Sequence, residues 1–270
     1  MSGYRQDGGL RTKGLFLKTS LSAKPLVSVV TPVYNAEDTI AETINSIISQ
    51  SYENIEYIII DGGSNDGTLE IIKAFEDRIA YWLSEKDGGM YEAVNKGFRA
   101  ARGEIVSYLN ADDIYNPGAV AIAVGHFLKY DSTFIHSDCE MIDAAGRPIY
   151  RQRCFFFNPA TYISWSFSNI CQQTAFWRKA VHEKIGYFNE DFKYAGDFEF
   201  FARVSRNFRV DGLKVCLAKY RMHVDAISFV HKKEMQAEVS RIHKFYGVKD
   251  GLKIREEGSY GRVALLFFIY

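Results

Sequence analysis

Ser107-Tyr108-Leu109-Asn110-Ala111-Asp112-Asp113 runs from an apolar strand straight into paired carboxylates. A strand that ends this way can present hard oxygen ligands for a divalent cation at the rim of a sheet. Other acidic positions also fall where apolar runs end: Asp87-Gly88-Gly89 and Asp61-Gly62-Gly63-Ser64-Asn65-Asp66-Gly67 upstream, and Gly196-Asp197 downstream.

Between these points β-branched stretches alternate with helix-period segments. That pattern predicts βαβ units and an α/β fold with a mostly parallel central sheet flanked by helices. Leu26 to Thr31 reads as a first strand stopped by Pro32, and Ala36 to Ser49 places Ile40, Ile44, Ile47 and Ile48 on one helical face. Ile55 to Ile60 is apolar throughout, the mark of a strand covered on both faces. Gly67 to Asp77 is a second helix, Ala80 to Ser84 a third strand, Met90 to Ala101 a third helix and Glu104 to Leu109 a fourth strand. Pro117 suits the first position of a helix ending near Tyr130. Beyond residue 131 the pattern changes to hairpins, with a turn at Asp143-Ala144-Ala145-Gly146 and six aromatics between Phe155 and Phe167. Core packing accounts for that aromatic cluster better than stacking of Trp165 on a ligand ring.

A chain of 270 residues that is 47% hydrophobic can bury a full core. Equal numbers of basic and acidic residues, 33 each, give no global pull toward nucleic acid, which is excluded as a partner. The four cysteines lack the close spacing of zinc or redox motifs, so free thiols are expected. No stretch approaches the ~20 apolar residues of a spanning helix. Residues 1–24 read as a flexible or loosely docked extension. Val263 to Tyr270 is apolar and follows a basic, amphipathic region around Lys232 to Lys253, which suits either a membrane interface or packing on the domain.

In open α/β sheets ligands bind outside the carboxyl ends of the strands, where strand order reverses. Asp61, Asp87 and Asp112 all fall there. Each alone is an ordinary turn or cap residue; their coincidence is what points to a site. Asp61 is placed to accept from a ring N–H of a nucleobase, with Asp87 holding the base or ribose from the opposite side. Asp112 is the candidate ligand for Mg²⁺ or Mn²⁺, assisted by Asn110 or Asp113 directly or through water. Asp197 opens a helix, where apolar surroundings and the helix N-terminus push its pKa in opposite directions.

These residues resemble those of the family 2 glycosyltransferases of the GT-A fold, particularly bacterial enzymes of exopolysaccharide and surface-glycan synthesis. The likeness covers roughly Val27 to His223. Val27-Ser28-Val29-Val30-Thr31-Pro32-Val33-Tyr34-Asn35 is similar to the family's opening strand and loop, implying that Thr31, Pro32, Tyr34 and Asn35 border the nucleoside. Asp61-Gly62-Gly63-Ser64-Asn65-Asp66-Gly67-Thr68 resembles its second signature, with Asp61 on the base. The segment from Glu85 to Gly97, which holds Asp87, is similar to the one that frames the donor. Leu109-Asn110-Ala111-Asp112-Asp113 resembles the metal motif, with Asn110 and Ala111 beside the nucleotide and Asn110 standing where many members have Asp.

The resemblance places the base at Asp197, where it would deprotonate the acceptor in a single inverting displacement. It also brings His223 near the diphosphate as a candidate metal-site residue, and puts Gln172 where related sequences often carry His. The implied function is metal-dependent transfer of a hexose-type unit from a UDP-like sugar donor to a hydroxyl of a glycan or lipid-linked glycan in polysaccharide biosynthesis. The place expected for it is the cytoplasm or the cytoplasmic face of the membrane. The alternative is a nucleotide-sugar binding or scaffold protein without turnover. A haloacid-dehalogenase-type hydrolase needs an Asp where Asn110 stands, and a nucleotidyltransferase needs a Gly-rich loop that does not follow Thr31.

The organisation expected is an extension at 1–24, one domain at 25–230 and a C-terminal segment at 231–270. The domain divides into a nucleotide-binding half to about residue 130 and an acceptor half from about 131.

Overall fold

The computed structural model describes residues 5–154, 162–163, 170–222 and 230–248. Its centre is the parallel block predicted from the apolar runs. Strand β2 (Val27–Val33) pairs in parallel with β3 (Ile55–Asp61) on one side and β5 (Ile105–Tyr108) on the other, and β3 pairs in parallel with β4 (Tyr81–Ser84).

These strands are apolar on both faces because helices cover both. Val29, Tyr57 and Ile59 pack with Ile40, Ile44 and Ile47 of helix α1 (Ile40–Ile48) and Ile72 of α2 (Thr68–Ala74). Their strand neighbours Val30, Ile58 and Ile60 point the other way, against Tyr91, Val94 and Phe98 of α3 (Met90–Ala100). Each fully buried isoleucine contributes roughly 1.5–3 kcal/mol of transfer free energy, so the two-sided pattern fixes strand register strongly. Helix α3 lies close to β2 because position 97 is glycine: a Cβ there would stand 2.3 Å from Val30 Cγ1.

Pro32 does not end its strand. Pairing of β2 with β3 continues through Pro32 to Val33, opposite Asp61, whereas pairing with β5 stops at Val30, opposite Tyr108. Alternate residues of a parallel strand bond to opposite neighbours, and Val30 C=O accepts from Leu109 N–H while Val33 C=O accepts from Gly62 N–H. Pro32 therefore faces the β5 side, one step past the last pair, where no donor is needed.

The extension also differs from expectation. Gln6–Gly8 forms strand β1, antiparallel to β4 at the sheet edge, and Arg11 reaches the buried Glu56 and the carbonyl of Ala100. Polar residues hid this strand from a hydrophobic reading. Helix α4 (Ala119–Lys129) starts after Gly118, whose φ is +78°, two residues later than Pro117 suggested.

The second half extends the same sheet. Strands β6 (Ile114–Tyr115), β7 (Phe134–Ile142), β8 (Pro148–Gln152), β9 (Phe176–Arg178) and β10 (Val210–Arg221) bring the sheet to ten strands among the described residues. The order is β1-β4-β3-β2-β5-β9-β7-β10-β6, with β8 hairpinned onto β7. Beyond β5 the pairing is antiparallel except for β7 with β10, so the sheet is parallel at its centre and mixed outside. Strand order reverses between β2 and β5, which places the crevice over their carboxyl ends.

Helices α5 (Ala180–Ile185) and α6 (Gly196–Asn207) join α3 on one face, and α7 (Lys232–Phe245) packs on α6. Among the described residues no helix is long and apolar enough to cross a membrane, and the four cysteines form no disulfide. Trp165, His223 and the apolar stretch from Val263 lie outside the described residues.

Candidate active site

Asp61 ends β3 with 1% of its surface exposed. Its carboxylate accepts from the Ser64 N–H at 3.2 Å, the Ser64 hydroxyl, and the Ser84 hydroxyl of β4 at 2.6 Å. Ser64 Oγ in turn accepts from the Asn35 N–H at 2.8 Å, and the Asn35 side chain accepts from the Asn65 N–H at 2.9 Å. The loops after β2 and β3 are thereby laced together. Asn35 holds φ +49°, a left-handed conformation that Asn tolerates better than most residues.

The residues of the first loop divide by depth. Tyr34 is 62% exposed and projects from the rim. Thr31 is buried with its hydroxyl bonded to Tyr57, and Pro32 is buried in the strand, so both offer a ligand backbone alone.

Asp87 lies over the same loop. A Cβ on Gly62 would stand 3.0 Å from Asp87 Oδ2, so glycine there lets the two acidic loops close on each other. The Gly89 N–H donates to Asp87 Oδ1 at 2.9 Å. Burial pushes the Asp87 pKa up, the Gly89 donor and Lys96 oppose it, and the carboxylates of Glu92 and Asp61 add to the rise.

The loop after β5 is held on every side. Asp113 is fully buried, and its carboxylate accepts from the Arg221 backbone N–H at 3.0 Å and from Asn110 Nδ2 at 3.4 Å. Desolvation raises its pKa well above the carboxylate range and the neighbouring Asp112 adds to this. Asp113 thus anchors the loop rather than facing the crevice. Ala111 is buried with Val33 and Leu109, so its side chain is core. Asp112 is half-buried.

Asn110 Nδ2 also reaches Gln172 Oε1 at 3.3 Å, and Gln172 Nε2 donates to the Tyr108 carbonyl at 2.6 Å. With both Gln172 and Asp113 taking its amide N–H groups, Asn110 is left with a buried Oδ1 that has no hydrogen-bond partner. An orphaned hard oxygen two residues from a half-buried carboxylate fits a small divalent ion. Among the described residues no cluster of three or more His, Cys, Asp or Glu could hold a metal. A short protein ligand set suits Mg²⁺ or Mn²⁺, which complete their shells with water and phosphate oxygens.

Asp197 stands in the first turn of α6, partly buried. Its Oδ1 accepts from the Tyr91 hydroxyl at 3.3 Å and from the Phe198 N–H at 2.8 Å, while its own N–H donates to Tyr91 Oη at 3.1 Å. Burial raises its pKa, these donors lower it, and Glu238 of α7 raises it further. Gly196 is required by the same contact, since a Cβ would fall 2.6 Å from the Tyr91 ring. Glu238 accepts from the N–H groups of Lys193, Tyr194 and Ala195 at 2.8, 2.9 and 2.8 Å, fixing the turn that enters α6.

Asp61 and Asp87 are therefore neighbours, and Asn110, Asp112 and Asp113 share one loop at the same end of the sheet. Asp197 is tied to the Asp87 loop through Tyr91, two residues after Gly89. The buried Tyr108 hydroxyl feels both Asp197 and Asp113. Ser84, Tyr91, Arg221 and Glu238 were not assigned from sequence. Tyr91 lies inside the Glu85 to Gly97 segment, but nothing in a linear pattern says which side chain turns toward a partner about a hundred residues away.

A sequence model of glycosyl transferase family 2 matches residues 28–186. An uncharacterized glycosyltransferase of Haemophilus influenzae is 29% identical over 86% of this chain and 77% of its own length. One from Rickettsia typhi is 31% identical over 74% of this chain, which spans 64% of that relative. One from Mycobacterium tuberculosis is 31% identical over 68% of this chain and 71% of its own. Among solved structures, S. aureus TarS 1-349 in complex with UDP-GlcNAc superposes with a TM-score of 0.62 at 20% identity, covering 86% of this chain and 77% of that one. The mannosyltransferase PcManGT from Pyrobaculum calidifontis in complex with GDP-Man and Mn²⁺ gives a TM-score of 0.62 at 20% identity, covering 84% of this chain and 65% of that one. The two superpositions establish the fold.

Proposed function

This chain belongs to glycosyl transferase family 2, and on that premise we propose that it is an inverting transferase moving a hexose-type unit from a UDP-like sugar donor to a hydroxyl of a glycan or lipid-linked glycan. The neighbours solved with UDP-GlcNAc and with GDP-Man support a nucleotide-sugar donor. The reading includes a role in bacterial surface-polysaccharide synthesis at the cytoplasmic side.

In this reading Asp61 accepts from the base N–H, its carboxylate oriented by Ser64 and Ser84. Asp87 takes the base or ribose from across the crevice, and the backbone of Thr31 and Pro32 with Tyr34 and Asn35 borders the nucleoside. Asp112 and Asn110 Oδ1 would hold Mn²⁺ or Mg²⁺, which would offset the negative charge of the departing diphosphate.

Asp197 acts as the base. Tyr91 and the Phe198 N–H occupy Oδ1, leaving Oδ2 to take the acceptor proton as the hydroxyl oxygen attacks the anomeric carbon. Burial makes this carboxylate a stronger base than a solvated one. The sugar leaves the diphosphate in the same displacement, so configuration inverts.

The observation that carries the proposal is the Asp197 carboxyl fastened by Tyr91 to the helix that follows the Asp87 loop. Nucleoside diphosphate release from UDP-, GDP- and dTDP-sugars, with and without Mn²⁺, tests it. One nucleotide class should turn over with a metal requirement, and Asp197→Asn should abolish turnover. Full activity of Asp197→Asn would overturn the assignment of the base, and absence of turnover with every donor would favour the scaffold alternative.

A further inference from the structure

Arg221 is the last residue of β10 and is 4% exposed. Its guanidinium divides its donors among three elements. Nε donates to the Asp112 carbonyl at 3.0 Å, one terminal nitrogen to the Ala144 carbonyl of the β7–β8 turn at 2.9 Å, and the other to the Glu42 carboxylate of α1. Its backbone N–H meanwhile donates to Asp113 Oδ1. Thr43, next to Glu42 on α1, donates to the Asp113 carbonyl at 2.8 Å.

The loop carrying Asp112 is thus gripped on its main chain at residue 112 and on its side chain at 113, both by one arginine. A buried cation costs several kcal/mol unless its donors are satisfied, and here each of the three guanidinium nitrogens has a hydrogen-bond acceptor. A planar five-donor fork can span a carbonyl, a second carbonyl and a carboxylate at once, which an ammonium on a flexible stem cannot.

We propose that Arg221 is a positioning residue for the metal and diphosphate end of the site, fixing the main chain of Asp112 so that its carboxylate meets the cation in one orientation. The inference rests on the donor reading above. It assigns Arg221 no contact with donor or acceptor; its effect passes through Asp112.

The test is UDP binding by calorimetry in EDTA and in Mn²⁺, with thermal melting alongside, for wild type and Arg221→Lys. Loss of an outer-shell partner costs about 10–100-fold in metal affinity, so the Mn²⁺-dependent gain in UDP affinity should fall by at least about tenfold. UDP affinity in EDTA should stay close to wild type. An unchanged Mn²⁺ gain would overturn the inference, as would equal losses in both conditions with a lowered melting temperature, the signature of a merely structural role. A wild type whose UDP affinity ignores Mn²⁺ would instead overturn the metal assignment itself and this inference with it. Should Arg221→Lys not fold, Glu42→Ala releases one arm of the fork. A reduced Mn²⁺ gain with intact binding in EDTA supports the inference, and an unaltered gain refutes it.

Discussion

The Tyr91 hydroxyl and Asp197 are joined twice, the phenol donating to the carboxylate Oδ1 at 3.3 Å and accepting from the Asp197 backbone N–H at 3.1 Å. One side chain from α3 therefore sets both the position of the Asp197 carboxylate, the proposed base, and the entry of the helix that carries it.

Removing that hydroxyl should show in the pH profile. The groups bearing on Asp197 are Tyr91 from α3, the Phe198 N–H of its own helix, Glu238 from α7 and Tyr108 from β5. A donor to the carboxylate favours its ionised form, and its loss raises the pKa. A base must be ionised to act, so Tyr91→Phe should move the acidic limb of kcat/KM to higher pH while the stacked ring on Phe188 stays in place. An acidic limb at its wild-type position would mean the bond does not tune the base.

Asp197→Asn keeps the shape and removes the carboxylate proposed as the base. Loss of general-base catalysis costs about 10²–10⁴-fold, and kcat should fall by that much while UDP affinity stays within about twofold. Comparable losses in both would place Asp197 in the donor site instead.

Asp112→Ala should behave in the opposite way. Loss of an outer-shell partner alone weakens metal affinity about 10–100-fold, so loss of a ligand should weaken UDP binding in Mn²⁺ by at least tenfold. Binding in EDTA should change little. Calorimetry under the two conditions separates these terms.

Gly97→Ala tests the approach of α3 to β2. The added methyl would meet Val30 Cγ1 at 2.3 Å and Cγ2 at 3.0 Å, and overpacking of this kind costs about 1–3 kcal/mol. Urea unfolding should show a lower midpoint at unchanged m-value.

Much of the parallel block was legible because strands covered on both faces must be apolar throughout, as Ile55 to Ile60 are. Asp61, Asp87 and Asp112 were legible as candidates because the carboxyl ends of such strands converge. Of the two readings of the extension, flexible or loosely docked, the sequence could not show the strand that docks it, because β1 is a three-residue polar edge strand paired with β4 and carries no hydrophobic signal. Pro32 was misread because a missing N–H matters only on the side where a neighbour still runs. Asp113 reads in the sequence as a candidate assistant to Asp112, yet its carboxylate is buried and taken by the Arg221 N–H. Arg221 and Glu238 were invisible because each works through main-chain groups remote in sequence, and main-chain partners leave no residue-type signature.

The three N–H groups gathered by Glu238 constrain any exchange of parts between relatives. A chimera joined in β10 would take the brace from one parent and the turn it steadies from the other. Exchanging the turn that enters α6 therefore calls for moving Lys193 through Phe245 as one cassette, and that cassette lies wholly downstream of the family match ending at residue 186. Libraries confined to the matched stretch would vary Tyr91 but leave its partner Asp197, and the turn that Glu238 braces, unchanged.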